Sequence, residues 1–512
     1  MVFSTTIFLF LFLPVFLGGY YLSPFRARSA WILLGSWVFY GWWRLDFLGL
    51  LILSTVWTYL LGGIAASGSA ESRPQRARIA LVVGVVLNLG SLAYFKYFNF
   101  AVDSLNYVLS AAGGDGITAW NVILPIGISF YVFQATSYLI DVYRGDAPAA
   151  RSYLDLAAYI ALFPQLIAGP ILRYKDLADQ LRRRTHSFSK FSEGSYRFMI
   201  GFCKKVLIAD TVALIADVSF GMEQPGLLGA WLGALAYSSQ LYFDFSGYSD
   251  MAIGLGLMMG FRFMENFDYP YISRSITEFW RRWHMSLSTW LRDYLYIPLG
   301  GNKRGPLKTY RNVLLVMLLG GLWHGAAWTF VVWGAWHGGI LAFERYLGNR
   351  RAAARGKAAP GKAAPGKAAG TSGQAGARQA RVAGVFALVR TMFLVLLGWV
   401  VFRAPDFTSA LRMYGGLFGL QGIGPREVLQ VEFGLFPLAI LALSLLLVYI
   451  GPYLKGRSVL PAPADAGRVL GGLSYLSSYG LAYARLFLIP LFLLGVLKLA
   501  AESFSPFLYF QF

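Results

Sequence analysis

Two histidines stand out in this chain by their residue type and their spacing. His324 lies inside Val313–Phe343, a stretch that contains no charged residue. An imidazole in so apolar a segment is costly unless it faces protein, water or substrate, so its presence there is a functional hypothesis. His284 stands 40 positions upstream in the run ITEFWRRWHMSLSTWLRDYLY, and the chain has only 4 histidines in all. We expect chemistry at this pair.

General acid–base catalysis is the chemistry that such a pair suits best. The pKa of an imidazole lies close to physiological pH, which makes a buried ring a good general base. The sequence lacks the competing motifs G-x-S-x-G, the P-loop, G-x-G-x-x-G after a strand, and H-E-x-x-H. A structural role, in which a neighbouring helix satisfies the ring of His324, is the alternative. For His337, which repeats the W-H-G pattern nearer a segment end, we expect the structural role.

Charged and aromatic residues near the two histidines are candidates for substrate binding. Glu278 and Arg282 lie one helical turn apart just before His284, a spacing typical of an ion pair that supports a helix. Interleaved tryptophans and arginines are typical of a bilayer interface. The same density also fits a cytoplasmic vestibule for an anionic ligand, such as the phosphates of a coenzyme A thioester, because guanidinium groups match phosphate geometry. The candidates are Glu278, Arg281, Arg282, Arg292, Trp323 and Asp250.

Two carboxylates, Asp244 and Asp250, lie in the mostly apolar run YFDFSGYSDMAIGLGL. Intramembrane carboxylates are costly, and they usually line a cavity or pair with a base. Asp250 could therefore orient or neutralise one of the histidines or arginines. A plain structural ion pair is the alternative.

The composition excludes an ordinary soluble protein. Hydrophobic residues make up 57% of the 512 residues and charged residues only 14%, whereas average domains carry about 25% charged residues. Several apolar runs have the roughly 20 residues that a membrane helix needs, among them Val2–Leu22, Phe47–Ala66 and Gly116–Ile140. We predict an all-α polytopic membrane protein with roughly eleven to thirteen transmembrane or re-entrant helices. The net charge of +20 reflects basic cytoplasmic loops and not nucleic-acid binding.

Two further classes are excluded by the sequence. The first apolar run has no basic segment before it and no A-x-A site, and another predicted span follows at once, so we do not expect a cleaved signal peptide. The single cysteine, Cys203, rules out a disulfide framework within the chain and a cysteine-based metal site. We predict no bound metal and no bound cofactor.

The positions of Lys and Arg predict the orientation of the chain. Basic residues follow the first and third predicted spans, whereas 98–121 carries none, which puts the N-terminus outside and the loop 71–78 in the cytoplasm. Tyr153–Leu172 is followed by a basic cluster and is interrupted by prolines and a glycine, so we predict a re-entrant or in-plane element. For Arg262–Arg311 we predict helices on, or dipping into, the cytoplasmic face.

The same charges place His324 at a turn. Val313–Phe343 lies between two segments predicted to be cytoplasmic, so it must enter the membrane and return. Its 31 residues suffice only for two short helices at about 1.5 Å per residue, and Gly320, Gly321 and Gly325 would permit a break. His324 is thus predicted near the turn of a helical pair, deep in the membrane.

Residues 350–381 form a low-complexity linker with tandem GKAAP repeats, 8 Lys or Arg and no acid. Such a segment cannot bury a core, so we predict a disordered cytoplasmic linker. It would separate a membrane core, 1–349, whose catalytic blocks fall in about 241–345, from the C-terminal membrane helices 382–512 of the same domain. Contact with anionic lipid is its functional interpretation; an expanded repeat insertion is the simpler one.

Three ordered blocks carry a family resemblance: FSGYSDMAIGLGLMMGFRFMENF, PYISRSITEFWRRWHMSLSTWLRDYLYIPLGGN and LLGGLWHGAAWTFVVWGAWHG. They resemble the signature blocks of membrane-bound O-acyltransferases, in particular the branch that serves bacterial alginate O-acetylation. The resemblance covers nearly the whole chain outside 350–381 and a variable stretch around 420–470. It implies a multi-helix fold around a central cavity, with His324 as the essential histidine. His284 matches a second position that is Asn, Asp or His among relatives.

The resemblance also implies a donor, partners and a location. Cytoplasmic acetyl-coenzyme A would be the donor substrate, and the acetyl group would pass through the inner membrane to periplasmic partner proteins and then to hydroxyls of an exopolysaccharide such as alginate. The D-alanyl-transferring branch of the family shares the WRRWH and WHG blocks, so these motifs do not fix the acyl group. Two other functions stay open: a transporter of an acyl or sugar carrier, since broken helices and intramembrane charges also occur there, and a passive scaffold for partner proteins.

Overall fold

The computed structural model describes residues 1–67, 74–356, 374–424, 434–457, 473–501 and 507–508. No strand occurs among these residues, which confirms the predicted all-α fold. The chain divides into two compact units. The first comprises Met1–Thr211, Gln240–Asn266 and Ser458–Phe512, and the second comprises Val212–Ser239 and Phe267–Arg457.

The helices follow one another as short and long segments. Up to residue 221 they are α1 (Leu13–Leu22), α2 (Arg28–Gly41), α3 (Leu45–Ala65), α4 (Gln75–Ala111), α5 (Ile128–Arg144), α6 (Tyr153–Ile160), α7 (Phe163–Leu166), α8 (Tyr174–Arg182), α9 (Phe188–Cys203) and α10 (Asp210–Gly221). Beyond it they are α11 (Leu227–Met258), α12 (Ile276–Arg282), α13 (Met285–Leu291), α14 (Pro306–His324), α15 (Trp328–Gly356), α16 (Gln374–Arg403), α17 (Phe407–Leu417), α18 (Leu435–Arg457) and α19 (Leu473–Ala501). Single π-helical stretches precede α1 and follow α9 and α13.

Four helical segments of the described chain are long and apolar enough to cross a membrane: Leu45–Ala65, Gln75–Ala111, Val382–Arg403 and Leu435–Pro452. Two shorter apolar helices cover Phe8–Leu22 and Leu486–Ala501. The apolar run Gly116–Ile140 is not one helix as we predicted, because α5 begins only at Ile128, after Pro125 and a left-handed Gly127. The larger number of membrane segments stays a prediction.

The segment Val313–Phe343 is a helical hairpin broken at the predicted place. Helix α14 ends at His324 and α15 begins at Trp328. The two helices run antiparallel and touch through their backbones at glycines, since a Cβ on Gly321 would lie 2.2 Å from the Phe330 carbonyl oxygen and one on Gly334 2.4 Å from that of Met317. Small residues permit this approach. The depth of the turn in the membrane stays a prediction.

The other interrupted segments also agree with the sequence. Tyr153–Leu172 holds two short helices, α6 and α7, and an irregular stretch, and it is buried within the first unit from Leu156 onwards. Arg262–Arg311 contains the short helices α12 and α13. The side of the membrane on which these segments lie stays a prediction.

The predicted linker 350–381 lies only partly within the described residues. Helix α15 extends to Gly356 and α16 begins at Gln374, so both ends of the linker are helical. The middle, 357–373, which includes the GKAAP repeats after their first residue, lies outside the described residues. The helices on both sides of it, α15 and α16, pack against each other in the second unit.

Candidate active site

His324 is the last residue of α14 and is only 5% exposed. Gly325 follows in an extended conformation, and a side chain there would collide with the Phe330 ring. The hairpin glycines thus allow the chain to turn directly after the histidine. His324 thus lies at the end of α14 that carries the partial negative charge of the helix.

His284 sits in a backbone conformation that few residues adopt. Its φ of 43° and ψ of 54° are left-handed, a region where His, Asn and Asp are enriched among non-glycine residues. It is the N-cap of α13, and its Nδ1 accepts a hydrogen bond from the backbone N–H of Leu287 at 3.4 Å. Burial lowers the pKa of His284 to about 3, so the ring is neutral at physiological pH.

The two predicted catalytic histidines are neighbours in the structure. Their ring centroids are 6.4 Å apart, and the Trp323 ring contacts both, 5.9 Å from His284 and 5.1 Å from His324. Trp333 and Phe402 close the other side of His324, at 5.2 and 5.4 Å. The hydrophobic walls keep the two imidazoles away from bulk water, which strengthens electrostatic interactions there.

His324 opens onto a cavity of about 220 Å³ within the second unit. The apolar side chains Leu287, Leu291 and Met317 line it together with Trp280 and Trp333, and Arg292 is the one charged group on its described wall. The shape and lining are those of a small-molecule site, which is typically apolar with a few polar groups that fix orientation. Of the predicted substrate-binding residues, Arg292 is therefore the cation that the structure brings to this cavity.

Arg282 and Glu278 bind each other instead. Arg282 donates to Glu278 at 3.0 Å and lies 3.1 Å from the Asp268 carbonyl oxygen, so it ties α12 to the preceding loop. This geometry favours the helix-support alternative for the pair. Arg281 is exposed and does not line the cavity in the described part of the chain.

Glu344 of α15 is a positioning residue that sequence reasoning missed. Its carboxylate accepts hydrogen bonds from the backbone N–H groups of Ile276 and Thr277, both at 2.9 Å, and from the Thr277 hydroxyl at 2.7 Å. A carboxylate at the start of a helix is stabilising, so Glu344 fixes the helix that leads to His284. The only sequence signal that pointed to Glu344 was its position directly after the uncharged stretch.

Asp250 lies in the first unit, within an ion-pair cluster. It accepts from Arg197 at 2.8 Å and from Lys204 at 2.6 Å, and Arg197 also contacts Glu265. The structural ion pair is thus the better-supported alternative for Asp250. Asp244 is similar, since it pairs with Lys205 at 2.7 Å.

Replacing Asp250 by asparagine should therefore act on stability. Lys204 and Arg197 would lose a charged partner in a largely buried cluster, at a cost of about 1–3 kcal/mol. Thermal melting of the detergent-purified protein measures this, with Asp115→Asn, at an exposed position, as the matched control. An Asp250→Asn variant that melts like the parent but binds donor substrate more weakly would favour the substrate-binding role instead.

Comparisons with known proteins agree with this geometry. The sequence profile of MBOAT, the membrane-bound O-acyltransferase family, matches residues 144–369, which include both histidines. A probable alginate O-acetylase from Azotobacter vinelandii is 51% identical over 531 residues, with 100% of both chains covered. The chain belongs to the membrane-bound O-acyltransferase family. As such it is a multi-pass membrane enzyme that transfers acyl groups, and the resemblance noted from the sequence is confirmed.

More distant relatives differ in the activities that their names give. A peptidoglycan O-acetyltransferase from Helicobacter pylori is 35% identical, with 83% of this chain and 81% of that protein covered. A teichoic acid D-alanyltransferase from Bacillus subtilis is 30% identical, with 44% and 61% covered. These two relatives thus differ from each other in both the acyl group and the acceptor that their names give.

Substitutions of His284 can separate its effect on the stability of the backbone from any effect on acyl transfer. Alanine there should lower stability by about 1–2 kcal/mol, because it loses the N-cap and is strained in a left-handed conformation. Asparagine tolerates that conformation and caps helices well, so His284→Asn should melt near the parent. Melting temperatures in detergent, with acyl transfer measured beside them, test this. Equal destabilisation by both substitutions would contradict it.

Proposed function

We propose that this family member is an O-acetyltransferase that takes acetyl groups from cytoplasmic acetyl-coenzyme A and passes them across the inner membrane for O-acetylation of an alginate-like exopolysaccharide. The observation that carries the proposal is the pair His284 and His324, of which His324 lines an apolar cavity. The relatives support the acetyl group and the polymer, since a relative that is 51% identical over its full length is a probable alginate O-acetylase.

In the proposed reaction His324 acts as the general base. It takes the proton of the acceptor hydroxyl while the oxygen attacks the thioester carbonyl; the new C–O bond forms, the C–S bond breaks, and the proton leaves with the thiolate as a thiol. A positioned base of this kind contributes about 10²–10⁴-fold to the rate. A relay of the acetyl group on the His324 ring is the variant of this proposal. His284 would position the thioester or assist the proton transfer.

The cavity supports a thioester arm better than a whole nucleotide cofactor. Its volume of about 220 Å³ and its apolar wall suit an acetylated thiol end. Arg292, whose Nε donates to Asp293 at 2.7 Å, would lie beside a more polar part of the donor. The acceptor would approach from the periplasmic side, where partner proteins carry the acetyl group to the polymer. This arrangement needs a donor on one face, an acceptor on the other, and a base between them.

Complementation and turnover together test the proposal. The chain should restore alginate acetylation to an alginate-producing bacterium that lacks its own membrane O-acetylase, as measured by acetyl content of the polymer. The purified protein in liposomes should release free coenzyme A from labelled acetyl-coenzyme A when a hydroxyl acceptor and the partner proteins are present. Movement of the label without thioester cleavage would instead indicate a transporter.

A further inference from the structure

A second cluster of polar side chains lies in the first unit, around the hydroxyl of Tyr20. The hydroxyl of Tyr20 donates to the Met259 carbonyl oxygen at 2.7 Å and accepts from Arg184 Nε at 2.8 Å. His186 Nε2 lies 2.9 Å from the same hydroxyl, and Arg28 Nη1 lies 3.1 Å from His186 Nδ1. Arg28 Nη1 lies equally close, at 3.1 Å, to His186 Nε2, so the guanidinium contacts the imidazole at both ring nitrogens.

This cluster has an excess of positive charge. Within the described chain neither Arg28 nor Arg184 forms an ion pair with a carboxylate. Their guanidinium groups stack on rings instead, Arg28 5.0 Å from the Tyr20 centroid and Arg184 4.8 Å from that of Phe261, and Arg184 is only 5% exposed. The Nη2 of Arg184 is buried and has no hydrogen-bond partner among the described residues. Burial and the two nearby guanidinium groups lower the pKa of His186, so the cluster disfavours a further positive charge on this ring. A buried guanidinium normally has an anionic partner.

The position of the cluster indicates the kind of anion. Arg28 and Arg184 belong to the two basic segments that we predict to be cytoplasmic, and the structure brings these segments together in one unit. Exposed apolar side chains surround them: Leu22 is 88% exposed, Phe25 44% and Phe188 86%. Cations beside exposed aromatic and aliphatic groups are typical of a membrane interface.

We propose that Arg28 and Arg184 form a binding site for a phosphate group at the membrane surface, the headgroup phosphate of an anionic phospholipid. The two guanidinium groups supply the planar donors that match phosphate oxygens, and Tyr20 and His186 hold them in place. The exposed apolar residues beside the site would contact the acyl chains. Such a site goes beyond acyl transfer, since it would bind an anionic lipid of the cytoplasmic leaflet to the first unit.

Lipid binding by matched variants tests the site. The full-length protein, purified in a neutral detergent, is titrated with phosphatidylglycerol and the bound lipid is counted by native mass spectrometry. Arg28→Gln should weaken the tightest binding by about fivefold, as expected for the loss of one interfacial cation. Arg26→Gln removes an exposed arginine two positions away and should change it by less than about twofold.

A second pair of variants covers the buried arginine. Arg184→Gln should weaken binding as Arg28→Gln does, whereas Arg183→Gln, at the exposed neighbouring position, should not. If Arg184→Gln fails to fold, the Arg28 and Arg26 pair still decides the question. Inorganic phosphate added in excess distinguishes a lipid headgroup from the free ion as the source of the phosphate. If the free ion displaces the lipid and raises the melting temperature, and both effects depend on Arg28, the site is a phosphate site that also takes the free ion. Equal lipid binding by Arg28→Gln and Arg26→Gln would overturn the proposal.

Discussion

Replacing His324 by glutamine should abolish acetyl transfer and leave a folded protein in the membrane. Glutamine is similar in size and can form hydrogen bonds, but it cannot take up a proton, so the loss should reach about 10²–10⁴-fold. His324→Ala should have the same effect on activity. The measurement is coenzyme A release by purified protein, together with the acetyl content of polymer made by cells that carry each variant.

His337→Gln is the matched comparison for this result. His337 is a fully buried histidine on the neighbouring helix α15, and its ring lies 5.0 Å from Trp333, which also contacts His324. It does not line the cavity, so its substitution should reduce activity far less than that of His324. Melting temperatures show whether each variant is folded. A folded His324→Gln protein that still acetylates the polymer at the parent rate would exclude His324 as base and as relay.

Alanine at Gly321 or Gly334 should disrupt the hairpin that carries His324. Either new Cβ would lie within 2.4 Å of a backbone carbonyl oxygen of the partner helix, and a backbone cannot move aside as a flexible side chain can. Overpacking of this kind costs typically 1–3 kcal/mol. The helices would separate, and a displacement of about 1 Å at the reacting group can cost about 100-fold in rate. We therefore expect lower melting temperatures and a loss of acyl transfer together.

Gly339 provides the control on the same helix. A Cβ there meets nothing within 4 Å, so Gly339→Ala tests the general effect of adding a methyl group to α15. It should leave both the melting temperature and the activity near those of the parent. Parent-like melting of Gly321→Ala and Gly334→Ala would mean that α14 and α15 leave room for a methyl group at these two contacts.

The break at His324 could be predicted because several local signals agreed. An uncharged stretch too short for two full spans lay between basic segments, and glycines surrounded the histidine. Long-range partners carried no such signal. Glu344 contacts the start of α12, and Asp250 contacts Arg197 and Lys204, but the chain has 45 Lys and Arg and 25 Asp and Glu. Pattern alone does not select one pairing among so many.

The aromatic surroundings of His324 show the same limit. Trp323 could be named because it is the neighbour in sequence. Phe402 comes from α16, beyond the GKAAP segment, and its contact with His324 depends on how α15 and α16 pack. The non-helical start of the run Gly116–Ile140 was missed for a different reason. Hydropathy measures how long an apolar stretch is, and it does not register that a proline and a left-handed glycine interrupt the helix within that stretch.

Helix α15 begins four residues after His324 and carries Glu344, which holds the first turn of the helix that leads to His284. A single helix therefore links the turn beside His324 to the start of the helix that leads to His284. Insertion of a single residue between Trp328 and Glu344 would shift everything beyond it by about 1.5 Å and rotate it by about 100°, moving the carboxylate off its backbone N–H groups. Outside the cavity-lining Trp333 and the packed Gly334, this interval of α15 should thus tolerate substitution more readily than insertion or deletion.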